Sequence, residues 1–191
     1  MNRRKAIWRI LLAGGAGVAG YSGYKWYDWN KAPDLGWLDR HKALITALSD
    51  TIIPATDTPG ARDAGVQDFI VVMIRDCTIV SEQNKFIDGL KEVENYAASH
   101  YKQSFTDCSE EQRRTVLRHF EQRAILFSGM AGKVQNKLLG RSFFTILKEY
   151  TAQGYCSSEL GATRGLAYLP IPGQYLGCIT LQPGQRSWAT K

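Results

Sequence analysis

The 191-residue sequence lacks most of the patterns that announce chemistry. It has no Cys-x-x-Cys, which excludes a thioredoxin-like pair and covalent haem attachment, and no cysteine run for an iron–sulfur cluster. Histidine occurs three times, as His41, His100 and His119, and none stands four residues from another His or from a Glu, so the helix-borne zinc arrangement of metalloproteases is absent. There is no Gly-x-Ser-x-Gly and no phosphate loop. Neither a catalytic residue, a bound cofactor nor a metal is therefore expected in this chain.

Acidic residues are missing from the first 24 positions, where Arg3, Arg4, Lys5 and Arg9 stand. Of the formal charge of +6, those four belong to this end, so the remainder of the chain is close to neutral and gives little electrostatic reason to bind nucleic acid. Arg113, Arg114, Arg118 and Arg123 do cluster, but Glu110, Glu111 and Glu121 interleave with them in the manner of a solvated helix face. Length, 44% hydrophobic and 22% charged residues fit one globular domain.

A basic head followed by an apolar run over residues 10–24 reads as a targeting segment, and the paired Arg3 and Arg4 point to the twin-arginine route with its translocase as partner. The run is rich in glycine and alanine, and Arg9 adjoins it, which suits such a leader better than a span needing about 20 apolar residues. Tyr24, Trp26, Tyr27 and Trp29 follow; such rings either sit at a membrane–water interface or pack on the folded body. Gly15, Gly17 and Gly20 match the dinucleotide pattern Gly-x-Gly-x-x-Gly, but no strand precedes them and no strand–helix alternation follows, so no nucleotide site is expected. Residues 1–30 are thus leader and connector, and residues 31–191 one domain.

Helical periodicity dominates that domain. Leu44, Ile45, Leu48 and Ile52 share a face over residues 39–53, closed by Pro54. Residues 54–65 are turn chemistry, and Val66, Phe69, Ile70, Met73, Ile74 and Cys77 follow helical spacing. Ser81 is placed to cap a third helix through Phe86, Leu90, Val93, Ala97 and Tyr101, and Ser109 with Gln112 forms a capping box for a fourth carrying Leu117, Phe120, Ala124 and Phe127. A fifth is expected from about Lys133 to Gln153, bent near Gly140 and ended by Gly154. The expectation is an all-α, irregular bundle of about five helices with an extended Pro/Gly/aromatic-rich tail over residues 155–191. Tyr155, Tyr168, Pro170, Pro172 and Tyr175 in that tail are candidate contacts to a partner, the alternative being that they only cover the helices.

Four cysteines in an exported chain suggest two disulfides. Local pairing would join Cys77 to Cys108 and Cys156 to Cys178; three pairings exist, and spacing does not choose among them. Free reactive thiols are the alternative.

Two blocks carry a resemblance. Asp50-Thr51-Ile52-Ile53-Pro54-Ala55-Thr56-Asp57-Thr58-Pro59-Gly60-Ala61, continued by Ala64-Gly65-Val66 and Phe69-Ile70, resembles the signature of the gluconate 2-dehydrogenase subunit 3 family. The segment from Phe143-Phe144 through Lys148-Glu149, Gly154-Tyr155, Ser158-Glu159, Gly161-Ala162-Thr163, Tyr168, Pro172-Gly173, Tyr175 and Gly177-Cys178 is similar to that family's closing motif. Cys156 departs from it, standing where an aromatic residue is expected, and Cys77 and Cys108 have no counterpart. The resemblance implies a non-catalytic small subunit of a periplasmic dehydrogenase associated with the inner membrane and acting on gluconate or a related sugar or polyol. Its partners would be a large GMC-type subunit carrying FAD and, in some complexes, a multihaem cytochrome c carrying haem c. The small subunit would assist folding and export of the large one. The other readings are a stand-alone periplasmic thiol/redox protein or a sugar-binding protein.

Overall fold

Helices form where apolar spacing places them, in a computed structural model that describes residue 27, residues 29–126 and 140–169, and positions 171, 173, 178, 180, 181 and 183–189. Arg3 and Arg4, residues 127–139, and Pro170, Pro172 and Tyr175 lie outside the described residues. The elements are α1 (Gly36–Arg40), α2 (Lys42–Ile52), α3 (Val66–Asp76), α4 (Val80–Tyr101), α5 (Glu110–Leu126) and α6 (Phe143–Ser157). A short 3-10 turn (Phe105–Asp107) precedes α5 and a π turn (Gly161–Gly165) follows α6. No strand occurs among the described residues beyond a single bridge between Ala167 and Trp188, so the fold is all-α. None of the described helices is long and apolar enough to cross a membrane.

The centre of the bundle is α6. Its buried positions Phe143, Phe144, Ile146, Leu147, Tyr150, Thr151, Gly154 and Tyr155 recur in adjacent pairs every three to four residues, a stripe too wide for one neighbour. It accordingly packs against α2, α3, α4 and α5, most extensively against α3. Around it Leu38, Ile45, Leu48, Ile70, Ile74, Phe86, Leu90 and Phe105 are fully buried in one continuous core.

Several boundaries differ from expectation for local reasons. The first helix is broken at His41, whose ring stacks on Trp37 at 3.7 Å and whose Nδ1 donates to the Trp37 carbonyl at 2.9 Å. Ser81 does not cap α4; Ile79 occupies the N-cap position and Ser81 lies within the first turn. The Ser109–Gln112 capping box does form, with Ser109 N donating to Gln112 Oε1 at 2.9 Å and Gln112 N to Ser109 Oγ at 3.4 Å. Ser142 caps the last helix by accepting from Thr145 N at 3.2 Å, so residues 140–142 stand outside it and the helix begins at Phe143. Gly154 does not end this helix. It sits inside, where a Cβ would lie 2.8 Å from the Phe69 ring, and absence of a side chain lets α6 press on α3. The helix runs on to Ser157, so Tyr155 is helical and the tail starts later than expected.

Candidate partner-binding face

Three consecutive residues in the first turns of α4, Glu82, Gln83 and Asn84, are buried polar side chains, and each binds a different part of the chain. Gln83 Nε2 donates to the carbonyls of Ile74 and Arg75 at 2.9 and 3.0 Å, satisfying the open C-terminal end of α3. Asn84 Nδ2 donates to the carbonyls of Trp29 and Lys31 at 2.9 and 2.8 Å and so latches the connector to the body. Beside it, Lys85 Nζ lies 4.5 Å over the Trp29 ring, a cation–π contact.

Glu82 receives Arg141. Its Oε1 accepts from Arg141 N at 2.8 Å and its Oε2 from Nη2 at 2.7 Å and Nε at 3.1 Å. Arg141 also donates to Glu149 at 2.7 Å and to the Tyr150 hydroxyl at 3.2 Å. The Thr78 hydroxyl donates to the Met73 carbonyl, which leaves Tyr150 to donate to Thr78 Oγ1 at 2.9 Å and orients the whole chain of bonds. Burial pushes the Glu82 carboxyl up, but the bonds and charge of Arg141 outweigh it and hold it below the ordinary 4.5. The Glu82 carboxylate in turn holds the Arg141 guanidinium more firmly protonated than usual, and burial pushes Lys85 down against the partial support of Glu82. The charged bonds of this node tie α4 through Arg141 to α6, and Gln83 ties in α3, so it is a structural clasp.

Because the Glu82 carboxyl titrates lower in the folded state, its contribution is complete above 4.5 and is lost as pH falls through the depressed value. Glu82→Gln should cost about 2 kcal/mol near pH 7, a buried pair discounted for the part-exposed Arg141. In guanidinium titrations at falling pH that deficit should shrink toward zero; a deficit unchanged at about pH 2 would remove the ion pair as its cause.

The closing segment is held by a second contact. Tyr155, expected at a partner interface, is only 7% exposed, and its hydroxyl donates to the Pro59 carbonyl at 2.8 Å. Side chains at Gly161 and Gly165 would collide with the backbone oxygen and ring of Tyr155, so the π turn wraps this tyrosine against the loop of residues 54–60. Thr163 Oγ1 donates to the Glu159 carbonyl at 2.7 Å inside the same turn. The two distant sequence blocks thus meet in the fold, and Tyr155 is corrected from a surface contact to their internal link.

Beyond Leu166 the chain changes character. Ala167 N donates to Ser187 O at 2.8 Å, Ala189 N to Ala167 O at 2.9 Å, and Arg186 Nη1 to Arg164 O at 2.6 Å, so the terminal stretch returns to the π turn. Around this single bridge Tyr168, Leu169 and Trp188 are exposed, and Ile171, farther along the chain, is 83% exposed. Large exposed apolar side chains concentrated in one short stretch are suited to a protein partner. Tyr168, expected from the sequence as a partner contact, is exposed there; Leu169, Ile171 and Trp188 were not singled out, and their only signal was apolar residues among prolines and glycines. An open groove of about 300 Å³ between α2, α5 and α6, lined by Ile52, Arg118, Phe144 and Lys148 among others, lies apart from both features.

Cys77, Cys108, Cys156 and Cys178 are all free thiols in this structure, so neither expected disulfide is formed in it. Cys108 is buried and donates to the Ser104 carbonyl at 3.3 Å, whereas the other three are exposed. Among the described residues, no three His, Cys, Asp or Glu side chains could hold a metal ion.

A family model described as Gluconate 2-dehydrogenase subunit 3 matches residues 39–173, which run from within α1 to Gly173 and include the first sequence block and the second as far as Gly173. No curated protein and no solved structure matches the chain.

Proposed function

The chain belongs to the gluconate 2-dehydrogenase subunit 3 family, and from that premise we propose that it is the small, non-catalytic subunit of a periplasmic, membrane-associated dehydrogenase that oxidises gluconate or a related sugar or polyol. The family is that of a subunit in a multi-subunit dehydrogenase, which implies a larger catalytic partner. In this proposal the partner is a large GMC-type subunit holding FAD, accompanied in some complexes by a multihaem cytochrome c. Arg3 and Arg4 take both proteins through the twin-arginine translocase.

The observation that carries the reading is the terminal face. A monomer gains nothing by exposing Tyr168, Leu169, Ile171 and Trp188, and the backbone bonds between Ala167, Ser187 and Ala189 bring Trp188 beside the start of that stretch. The central clasp supports the same division of labour, since Glu82, Gln83, Asn84 and Arg141 are engaged in bracing this chain and are not arranged around an open cleft.

Purification through a tag after Lys191 tests it. A stoichiometric partner several times larger, bearing flavin absorbance, is the expected result, and a flavin-free monomer would overturn the proposal. The double substitution Tyr168→Ser, Ile171→Ser should lower partner retention by about tenfold or more, since central aromatic and apolar anchors each carry about 1–2 kcal/mol. Both side chains are exposed, so the thermal midpoint of the isolated chain should not move. Undiminished retention would place the partner on another face.

A further inference from the structure

The groove between α2, α5 and α6 carries a positive charge that the fold leaves unanswered. On α5 its lining residues Arg114, Leu117, Arg118 and Glu121 follow the i, i+3, i+4, i+7 spacing of a single helix face. A face turned toward two neighbouring helices is ordinarily apolar, yet three of these four positions are ionic. The apolar floor is made by Leu117 and by Phe144 of α6, both nearly buried, with the half-buried Ile52 of α2 beside them. Three cations stand over that floor against one carboxylate. Arg114 pairs with Glu110 one turn back, and Lys148 pairs with Glu121 at 3.4 Å while lying 5.9 Å from the Phe144 ring centroid. Arg118 is exposed and has neither a hydrogen bond nor an ion pair among the described residues. It follows Arg114 by four positions, a spacing at which like charges repel, and Glu121 on the next turn is already engaged by Lys148.

Charge and shape together select the occupant. A carboxylate against Arg118 would relieve the repulsion from Arg114, and an apolar group beside it would cover the floor. The groove is open and only about 300 Å³, too small and too open to surround a free small molecule as ligand pockets do. A protein segment need place only a side chain or two there, because its own fold holds the rest. We infer that this groove receives an acidic segment of the larger catalytic subunit, one apolar side chain resting on Ile52, Leu117 and Phe144 and an adjacent carboxylate bound by Arg118. The inference rests on the subunit reading above and deepens it. To the exposed apolar stretch beyond Leu166 it adds a second contact, in which complementary charge fixes the register of the partner.

The test uses the whole complex, isolated through the tag after Lys191 with its flavin bound. Arg118→Lys keeps the positive charge and supplies an amine. A water-soluble carbodiimide then activates carboxylates, and the amine displaces the activating group as a urea to form an amide only where a carboxylate touches it. Mass spectrometry of the digest should show position 118 joined to an Asp or Glu of the large subunit that neighbours a Leu, Ile, Val, Met or Phe. In a flavin-bearing complex, no amide at 118, or one only to Glu111 or Glu121 of this chain, would overturn the inference and leave the subunit reading intact. An amide to a second copy of this chain or to a cytochrome would overturn it as well. Separately, Arg118→Glu should weaken retention of the large subunit about tenfold at low salt, with the deficit fading as salt rises, and Arg118→Ala should weaken it less. Replacing the joined carboxylate of the partner by lysine should restore retention to the Arg118→Glu variant, which a merely structural role of Arg118 would not allow. Arg118 is exposed, so the thermal midpoint of the isolated chain should stay in place in both variants. Undiminished retention by Arg118→Glu at low salt would overturn the inference. A flavin-free monomer at the outset would instead remove the subunit reading, and the inference with it.

Discussion

Gly89→Ala should destabilise the protein by about 3 kcal/mol and lower its thermal midpoint by roughly 6–12 °C, more than any single surface change, although alanine is the better helix former. Gly89 faces Phe143 where α4 crosses α6, and a Cβ there would fall 2.1 Å from Phe143 Cγ and 2.5 Å from its Cβ. A rotamer change can move a ring, but it cannot move Cβ, so the helices themselves must part. Phe143 also packs against Phe86, at 5.5 Å between ring centroids, and Phe120, at 5.9 Å, which restricts where the ring can move. Separation of α4 from α6 would strain the Glu82–Arg141 bonds two turns away, so loss of packing and loss of the clasp would be coupled. Thermal unfolding of a double-mutant cycle checks the cause. In a Phe143→Gly background the colliding ring and Cβ are both gone, and Gly89→Ala should become neutral or slightly stabilising through helix propensity. A cost that persists in that background would show that the close crossing is not what glycine provides.

The helices themselves were legible because each carries a single-sided apolar stripe, and α3 with its run from Val66 to Ile74 is the clearest case. The capping box of Ser109 and Gln112 was legible because it is local in sequence. Gly154 misled for a physical reason: glycine serves both as a left-handed helix end and as a point of close approach, and only the position of Phe69 on another helix decides between them. The polar triplet of Glu82, Gln83 and Asn84 read as the ordinary solvated start of a helix, because its partners Arg141, Ile74 and Trp29 are far away or behind in the chain. Tyr155 likewise carries the composition of an interface residue, and its assignment to the interior depends on a carbonyl 96 residues earlier. Family resemblance found the two blocks that meet at that tyrosine without indicating that they touch. Exposure of Ile171 and of Ile79 is a property of what fails to cover them, which no periodicity encodes.

Arg3→Lys with Arg4→Lys should abolish export of this chain, and under the proposed function the large flavoprotein should remain in the cytoplasm with it. The paired substitution keeps the positive charge of the leader and removes only the planar guanidinium forks, so it separates recognition of arginine from simple attraction of a basic head. A partner without its own leader can cross only while bound, which makes its location a readout of the complex as well as of the leader. Fractionation with immunoblotting of both proteins, alongside dehydrogenase activity of intact cells, checks the outcome. Export of this chain despite the lysines would remove the twin-arginine reading; export of the flavoprotein alone would remove shared transport and leave the subunit assignment untouched. Tyr168→Ser with Ile171→Ser gives the complementary separation. There the leader is intact and the docking face is lost, so this chain should be exported while the flavoprotein is retained. Failure of the two double variants to separate in this way would mean that the exposed terminal face and the leader do not act on the same partner.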